Sequence, residues 1–294
     1  MRIDVLTLFP EVMSPYLAAS ILGRAQAAAF AEIHLHQLRD YSTDPHKKVD
    51  DRPFGGGPGM VLMCQPVVDA VAAIEKLDQR PALRIMLTPQ GRPFTQQTAR
   101  RFSAAPRLLL ICGHYEGFDE RIVALLQPEE ISLGDFVLTG GEIAALAMID
   151  SVVRLLPGVL GNDETLSAES FDNGLLDCPH YTRPRAFRGL EAPAVLLSGN
   201  HAEIAAWRSQ QARARTAERR PDLLEAAPLT DQPLGDRPLA GLANAGSGRP
   251  PCRPSMAEDR SHDVRPARGP AATDLSPAVR TSSCPALHPM VSSC

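Results

Sequence analysis

Three short stretches of this 294-residue chain set small and polar residues directly after apolar runs, a pattern suited to binding chemistry. Leu87 is followed by Thr88-Pro89-Gln90-Gly91, and Cys112 by Gly113-His114-Tyr115-Glu116-Gly117. Leu133 is followed by Gly134-Asp135 and then by Phe136-Val137-Leu138-Thr139-Gly140-Gly141. Glycine permits positive φ and close approach of backbone to a ligand. If the preceding runs are parallel strands of one sheet, all three loops lie at its carboxyl edge, where open α/β folds bind ligands. Such a pocket is lined by main-chain N–H and C=O groups and suits an adenine or a ribose. Arg154 is a second signal, because a charge in a largely apolar helix needs a partner or a ligand. Basic residues also cluster at His46-Lys47-Lys48, at Arg183 and Arg185, and at Arg208, Arg213, Arg215, Arg219 and Arg220. Clusters of this kind grip phosphates, while bases are read separately.

Familiar nucleotide motifs fail. The run Gly55-Gly56-Gly57-Pro58-Gly59-Met60 lacks the Lys-Ser/Thr of a phosphate-cradling loop. Pro10 follows the first apolar run where a dinucleotide fold needs GxGxxG. Cys112-Gly-His114 and Cys178-Pro-His180 each offer two metal ligands, but neither has a second matching pair, so zinc is not expected.

The elements that must position these loops alternate regularly. Residues 3–9 read as a strand, and Pro10-Glu11 opens a helix through about residue 28 with Met13, Leu17, Ile21 and Leu22 on one face. Strands are expected at 33–38, 84–87, 107–112, 130–133 and 136–138, and helices at 67–77, 96–102, 119–126 and 142–156. Strands alternating with helices, several of them apolar on both faces, indicate a parallel sheet covered by helices. Residues 41–59 read as a polar loop and 202–217 as a polar helix. The chain then divides into an α/β domain over 1–160, a linker over 161–175, a small, mostly helical domain over 176–231, and a tail.

That tail, 232–294, holds ten of the 27 prolines and no Phe, Trp, Tyr or Ile. It cannot bury enough apolar surface to offset its ordering entropy, so disorder is expected there. Overall charge is −4, from 30 basic and 34 acidic residues, with −6 over the first 231 positions and +2 beyond. Charge alone therefore does not indicate a nucleic-acid binder. No apolar stretch reaches the roughly 18 residues of a membrane span, and Asp4 interrupts what a signal peptide would need. Six cysteines at 64, 112, 178, 252, 284 and 294 form no CxxC pair. A reduced, cytoplasmic protein is expected.

Six motifs in order carry a resemblance. They are Asp50-Asp51-Arg52-Pro53-Phe54 with residues 55–60, GHYEGFDER at 113–121, SLGDFVLTGGE at 132–142, IDSVVRLLPGVL at 149–160, GLLDCPHYTRP at 174–184 and PAVLLSGNHAEI at 193–204. Together they resemble bacterial tRNA (guanine-N1)-methyltransferases of the SPOUT superfamily, over about residues 1–230. The resemblance implies a parallel α/β sheet with a deep trefoil knot, a homodimer with its active site at the subunit interface, and S-adenosylmethionine as methyl donor. It implies that the donor is held by Leu87 and Pro89, by Gly113, Tyr115, Glu116 and Gly117, and by Ser132, Leu133, Gly134, Phe136, Leu138, Gly140 and Gly141. The acceptor it implies is N1 of the guanine immediately 3′ of the tRNA anticodon, whose methylation maintains reading frame. It assigns Asp50, Gly59, His180, Tyr181, Arg183, Arg208 and Arg215 to the tRNA. Magnesium is implied as an aid, with no ligand cluster to place it.

Guanine N1 carries a proton at neutral pH, so methylation there needs a base at N1 and a donor at O6. The resemblance places Arg154 at O6 and Glu169 at N1, where the family has an aspartate; Asp177 is the next candidate base. Phe136 and Ala144 stand where tyrosine and proline are common. Two other readings remain at this stage: an RNA-binding protein that keeps the fold without catalysis, and another α/β nucleotide enzyme such as a phosphotransferase.

Overall fold

The computed structural model describes residues 1–161, 169–171 and 173–225. The expected tail, with Cys252, Cys284 and Cys294, and most of the 161–175 linker lie outside the described residues.

Five parallel strands make the central sheet: β1 (Arg2–Thr7), β2 (Glu32–Gln37), β5 (Leu83–Pro93), β6 (Arg107–Cys112) and β7 (Glu129–Ser132), in the order β2-β1-β6-β5-β7. Two-residue strands β3 (Asp50–Asp51) and β4 (Val61–Leu62) pair separately within the polar loop. Alternation sends Ile3, Val5, Leu108 and Leu110 to one face and Leu6, Leu109 and Ile111 to the other, and both faces are buried. The first face is covered by α1 (Pro10–Leu17), α2 (Ser20–Ala27), α4 (Gln96–Ser103) and α6 (Glu142–Val153), and the second by α3 (Cys64–Glu75) and α5 (Glu120–Leu126). Central strands that are apolar throughout need this double cover.

Three expectations are corrected. The helix expected from residue 10 to 28 is two helices, broken at Ala18–Ala19, with Ser20 at φ +49°. The strand expected at 84–87 runs on to Pro93: both Leu87 and Arg92 pair with Ile131, so residues 88–91 leave the ladder and return to it. The strand expected at 136–138 does not form, and those residues line the cavity described below.

Beyond α6, the described residues hold the hairpin strands β8 (Ala186–Phe187) and β9 (Leu190–Glu191), a short 3-10 turn at Ala194–Leu197, α7 (His201–Arg219) and α8 (Asp222–Glu225). Asn200 caps α7 by accepting from the Glu203 amide. Thr216, fully buried on α7, accepts from the Leu176 amide at 2.9 Å and so ties the 174–178 segment to that helix.

Candidate active site

The three loops converge at the carboxyl edge of β5, β6 and β7 around a cavity of about 280 Å³, near the lower end of the range for small-molecule sites. Leu87, Pro89, Gly113, Tyr115, Glu116, Gly117, Ser132, Leu133, Phe136, Leu138, Gly140 and Gly141 all line it. Gly134 does not. It sits behind the wall, where its amide donates to Ser132 Oγ and its carbonyl accepts from the Phe136 amide, which shapes the turn. The loops are stitched to one another: the Gly141 amide donates to the Gly113 carbonyl at 2.8 Å, and His114 bridges to Gly140.

Among the lining residues, Glu120 and Glu130 lie outside the three loops singled out in the sequence. Gln90, Glu120, Glu130 and Thr139 add polar groups, and His114 presents a buried Nδ1 with no hydrogen-bond partner among the described residues. A buried ring nitrogen left unpaired is costly unless a ligand satisfies it. Burial, with Glu120 nearby, raises the Glu130 carboxyl above its ordinary value. Next to Gly141, Glu142 in the first turn of α6 accepts from Thr7 Oγ1 at 2.7 Å, fixing the helix start to the end of β1. A glutamate directly after Gly-Gly at a helix start was the available signal.

Arg154 and Glu169 meet. Arg154 Nη1 and Nη2 donate to the two Glu169 carboxylate oxygens, both at 2.6 Å, a bidentate charge-assisted pair. The guanidinium holds the Glu169 carboxyl below the usual glutamate range, and the carboxylate raises the Arg154 pKa in turn. Asp177 lies beside this couple: its amide donates to Ser170 Oγ, and His180 Nε2 is 2.7 Å from its Oδ2. Burial pushes the Asp177 carboxyl up, but His180 and the Cys178 amide more than reverse this. Arg215 donates to the Asp177 carbonyl at 3.1 Å, Arg208 lies near Cys178, and the Tyr181 ring is 6.4 Å from Trp207. Arg183 is exposed just beyond. On the cavity side, the Glu116 amide donates to the carbonyl of Met60, next to Gly59, and Asp50 pairs with Leu62 in the β3–β4 ladder.

The two groups of residues are not in one place within a single chain. None of Arg154, Glu169 and Asp177 lines the cavity. Ala144, in the first turn of α6, does; Arg154 follows ten residues later at the other end. At 1.5 Å per residue the couple stands about 15 Å along the helix axis from the cavity wall.

Metal and thiol chemistry find little support among the described residues. Asp177, Cys178 and His180 bring one ligand atom each within 4.8 Å of one another. A thiol is a soft donor and an imidazole a borderline one, whereas magnesium takes oxygen ligands, so this cluster does not fit it. Burial raises the Cys112 thiol well above its ordinary value, with Glu142 adding to this, which leaves it protonated and inert.

Gly141 permits the close crossing that forms the cavity floor. A Cβ there would lie 2.8 Å from Cys112 Cα and 2.9 Å from the Gly113 nitrogen, both backbone atoms that cannot yield cheaply. Gly141→Ala is therefore expected to cost about 1–3 kcal/mol as overpacking. A lower thermal unfolding midpoint would report it, with Gly161→Ala as control, since no described residue lies within 4 Å of a Cβ at that position.

The family model described as "tRNA (Guanine-1)-methyltransferase TrmD" matches residues 1–226. A protein of Rhodopirellula baltica named tRNA (guanine-N(1)-)-methyltransferase is 55% identical over 227 residues, covering 76% of this chain and 94% of the relative. Proteins of the same name from Dehalococcoides mccartyi and Ruminiclostridium cellulolyticum are 52% and 53% identical, covering 82% and 78% of this chain and 98% of each relative.

Proposed function

The chain belongs to the tRNA (guanine-1)-methyltransferase family, and from that premise we propose how its residues divide the work. It is a methyltransferase acting on N1 of a guanine in tRNA, the guanine immediately 3′ of the anticodon. The cavity at the sheet edge takes S-adenosylmethionine. Its glycine-lined floor and the unpaired His114 Nδ1 fit a nucleoside. Bound there, the donor supplies an electrophilic methyl on a sulfonium.

Arg154 and Glu169 receive the guanine. Along its Watson–Crick edge, guanine presents an acceptor at O6 beside a donor at N1–H. That matches a guanidinium beside a carboxylate, and the base enters between two groups that otherwise hold each other. Arg154 donates to O6 and steadies the charge that grows there, while Glu169 takes the N1 proton as the N1–methyl bond forms. Adenine offers a donor and an acceptor in the opposite order and would set donor against donor. The longer glutamate keeps the carboxylate that the family places at this position as aspartate.

The observation that carries this reading is the bidentate Arg154–Glu169 pair, at the far end of the helix whose first turn floors the cavity. A gap of about 15 Å along α6 cannot be closed within one chain without unwinding that helix. A homodimer closes it, with the couple of one protomer set over the cavity of its partner. Exposed apolar side chains on α1 and α6, Val12 and Ile143, supply surface for that contact. The deep knot is part of the same reading. The chain leaves β7 at the sheet edge, passes the 88–91 excursion beyond β5, and reaches Gly113 at the end of β6 before α6 begins. On this reading, residues 1–160 are the methyltransferase domain, 161–175 the linker that carries Glu169, and 176–231 the tRNA-binding domain, in a protein that works in the cytoplasm.

The test is transfer of tritiated methyl to an unmodified tRNA transcript. Label is expected in that transcript and not in one with adenine at the target position. An unlabelled guanine transcript would overturn the proposal.

A further inference from the structure

The β8–β9 hairpin has a feature that folding alone does not explain. Its turn is the two residues Arg188 and Gly189, both at positive φ, +51° and +83°. Turns of this form favour Asn or Asp followed by Gly, because positive φ is unfavourable for a side chain that cannot bond locally. Arginine therefore holds this position against its backbone preference, and strain of that kind points to a role for the side chain.

The surroundings say what that role is. The Arg188 guanidinium lies over the Phe187 ring, 5.2 Å from its centre. Phe187 is 60% exposed, and Leu190, its cross-strand partner, is 77% exposed. Among the described residues, none covers this apolar pair. Arg183, Arg185 and Arg188 lie within six residues, and among the described residues Arg188 has no carboxylate partner. A phosphate would have no use for the exposed ring and Leu190, whereas a nucleobase uses both the planar cation and the apolar surface. The hairpin also follows closely on Asp177, His180 and Tyr181. Arg188 follows His180 by eight positions, at most about 29 Å of chain, a span of a few nucleotides.

Resting on the reading above, we propose that Phe187 and Arg188 form a stacking platform for an unpaired base of the tRNA anticodon loop near the target guanine. The platform positions the loop and does not touch the reacting atoms.

The test uses the full chain and tRNA transcripts carrying 2-aminopurine at single positions of the anticodon loop. Binding is read by fluorescence, and methylation of unlabelled transcript is read in parallel. Arg188→Asn improves the turn, so it keeps the hairpin while removing the platform. The KM for tRNA is expected to rise by about 5- to 50-fold, in line with loss of one stacked base, with kcat changed less than about twofold. One 2-aminopurine position loses its response. Phe187→Leu keeps apolar bulk and gives the same result, and Arg188→Lys, which keeps charge without the plane, does not rescue it. Unchanged KM and fluorescence in Arg188→Asn and Phe187→Leu would overturn the platform, as would full rescue by Arg188→Lys. If the wild type binds tRNA but transfers no methyl, the functional reading fails while the fluorescence still judges the platform.

Discussion

Glu169→Gln is expected to lower kcat by about 10²- to 10⁴-fold, the usual loss when a positioned base is removed, while the affinity for S-adenosylmethionine stays within about twofold. The two readouts separate because Glu169 meets the guanine and is not among the residues that line the cavity. Glutamine keeps the size and the hydrogen bond to Arg154 but cannot take a proton from N1. Arg154→Ala should cost about 10²- to 10³-fold through loss of charge stabilisation at O6. The double variant should be little worse than the worse single one, since the two groups act as a unit. Arg154 holds the Glu169 carboxyl below its ordinary value. The base form is therefore complete at neutral pH and persists as pH falls, so Glu169 imposes no loss of kcat/KM until the pH is below the ordinary glutamate value of about 4.3. Removing Arg154 moves that limit upward toward the ordinary glutamate value. If each site joins two chains, co-expressing Glu169→Gln with Leu138→Glu, which blocks the cavity, should restore roughly a quarter of wild-type activity. Half of the dimers would then be mixed, each with one intact site. No recovery would place the whole site in one protomer. A fall in kcat of less than about tenfold for Glu169→Gln would remove it as the base.

The cavity was legible in the sequence because close backbone approach leaves a mark on residue type. Gly113, Gly140 and Gly141 stand where the chain crosses itself, and glycine is what such a crossing needs. Four strands of the sheet were legible from their apolar runs to within a residue or two, while β5 runs six residues past its expected end. The failures share a cause, which is that geometry set by distant segments leaves no local signature. Residues 136–138 read as a strand from Phe-Val-Leu, but the wall they form turns past Gly134 and has no neighbour to pair with. The β8–β9 hairpin went unseen because Arg-Gly is not the turn sequence that announces one. The pairing of Arg154 with Glu169 joins residues 15 positions apart that no local pattern links, and only the resemblance brought the two together beforehand.

Asp4 shows the same limit most sharply, and its replacement carries the largest expected loss of stability. In sequence it was only a charge interrupting an apolar run. In the sheet, Arg2 of β1 lies directly opposite Arg107 of β6, a like-charge pair that would repel. Asp4, two residues along on the same face, sits between them: Arg2 donates to both its carboxylate oxygens, Arg107 Nε donates at 2.8 Å, and His36 Nε2 lies 2.9 Å away. Arg107 and Asp4 are both fully buried, and Arg107 also ties down the carbonyls of Ile74, Glu75 and Asp78 at the end of α3. Asp4→Ala leaves the Arg107 charge buried without its counterion, which costs about 3–5 kcal/mol. For a chain of this size that lowers the unfolding midpoint by about 6–20 °C. Asp4→Leu with Arg107→Met should recover much of the loss, because it removes both charges and fills the space. Burial pushes the Asp4 carboxyl up, but the bonds from His36, Arg2 and Arg107 outweigh it and hold the pKa well below the ordinary aspartate range. A depressed native pKa means stability that is complete above the unfolded value of about 3.9 and lost as pH falls through the native one. Wild-type unfolding free energy should therefore fall steeply in acid below about pH 4, and the Asp4→Leu/Arg107→Met pair should flatten that slope. An equal acid slope in the two proteins would show that Asp4 is not the carboxylate on which the fold depends.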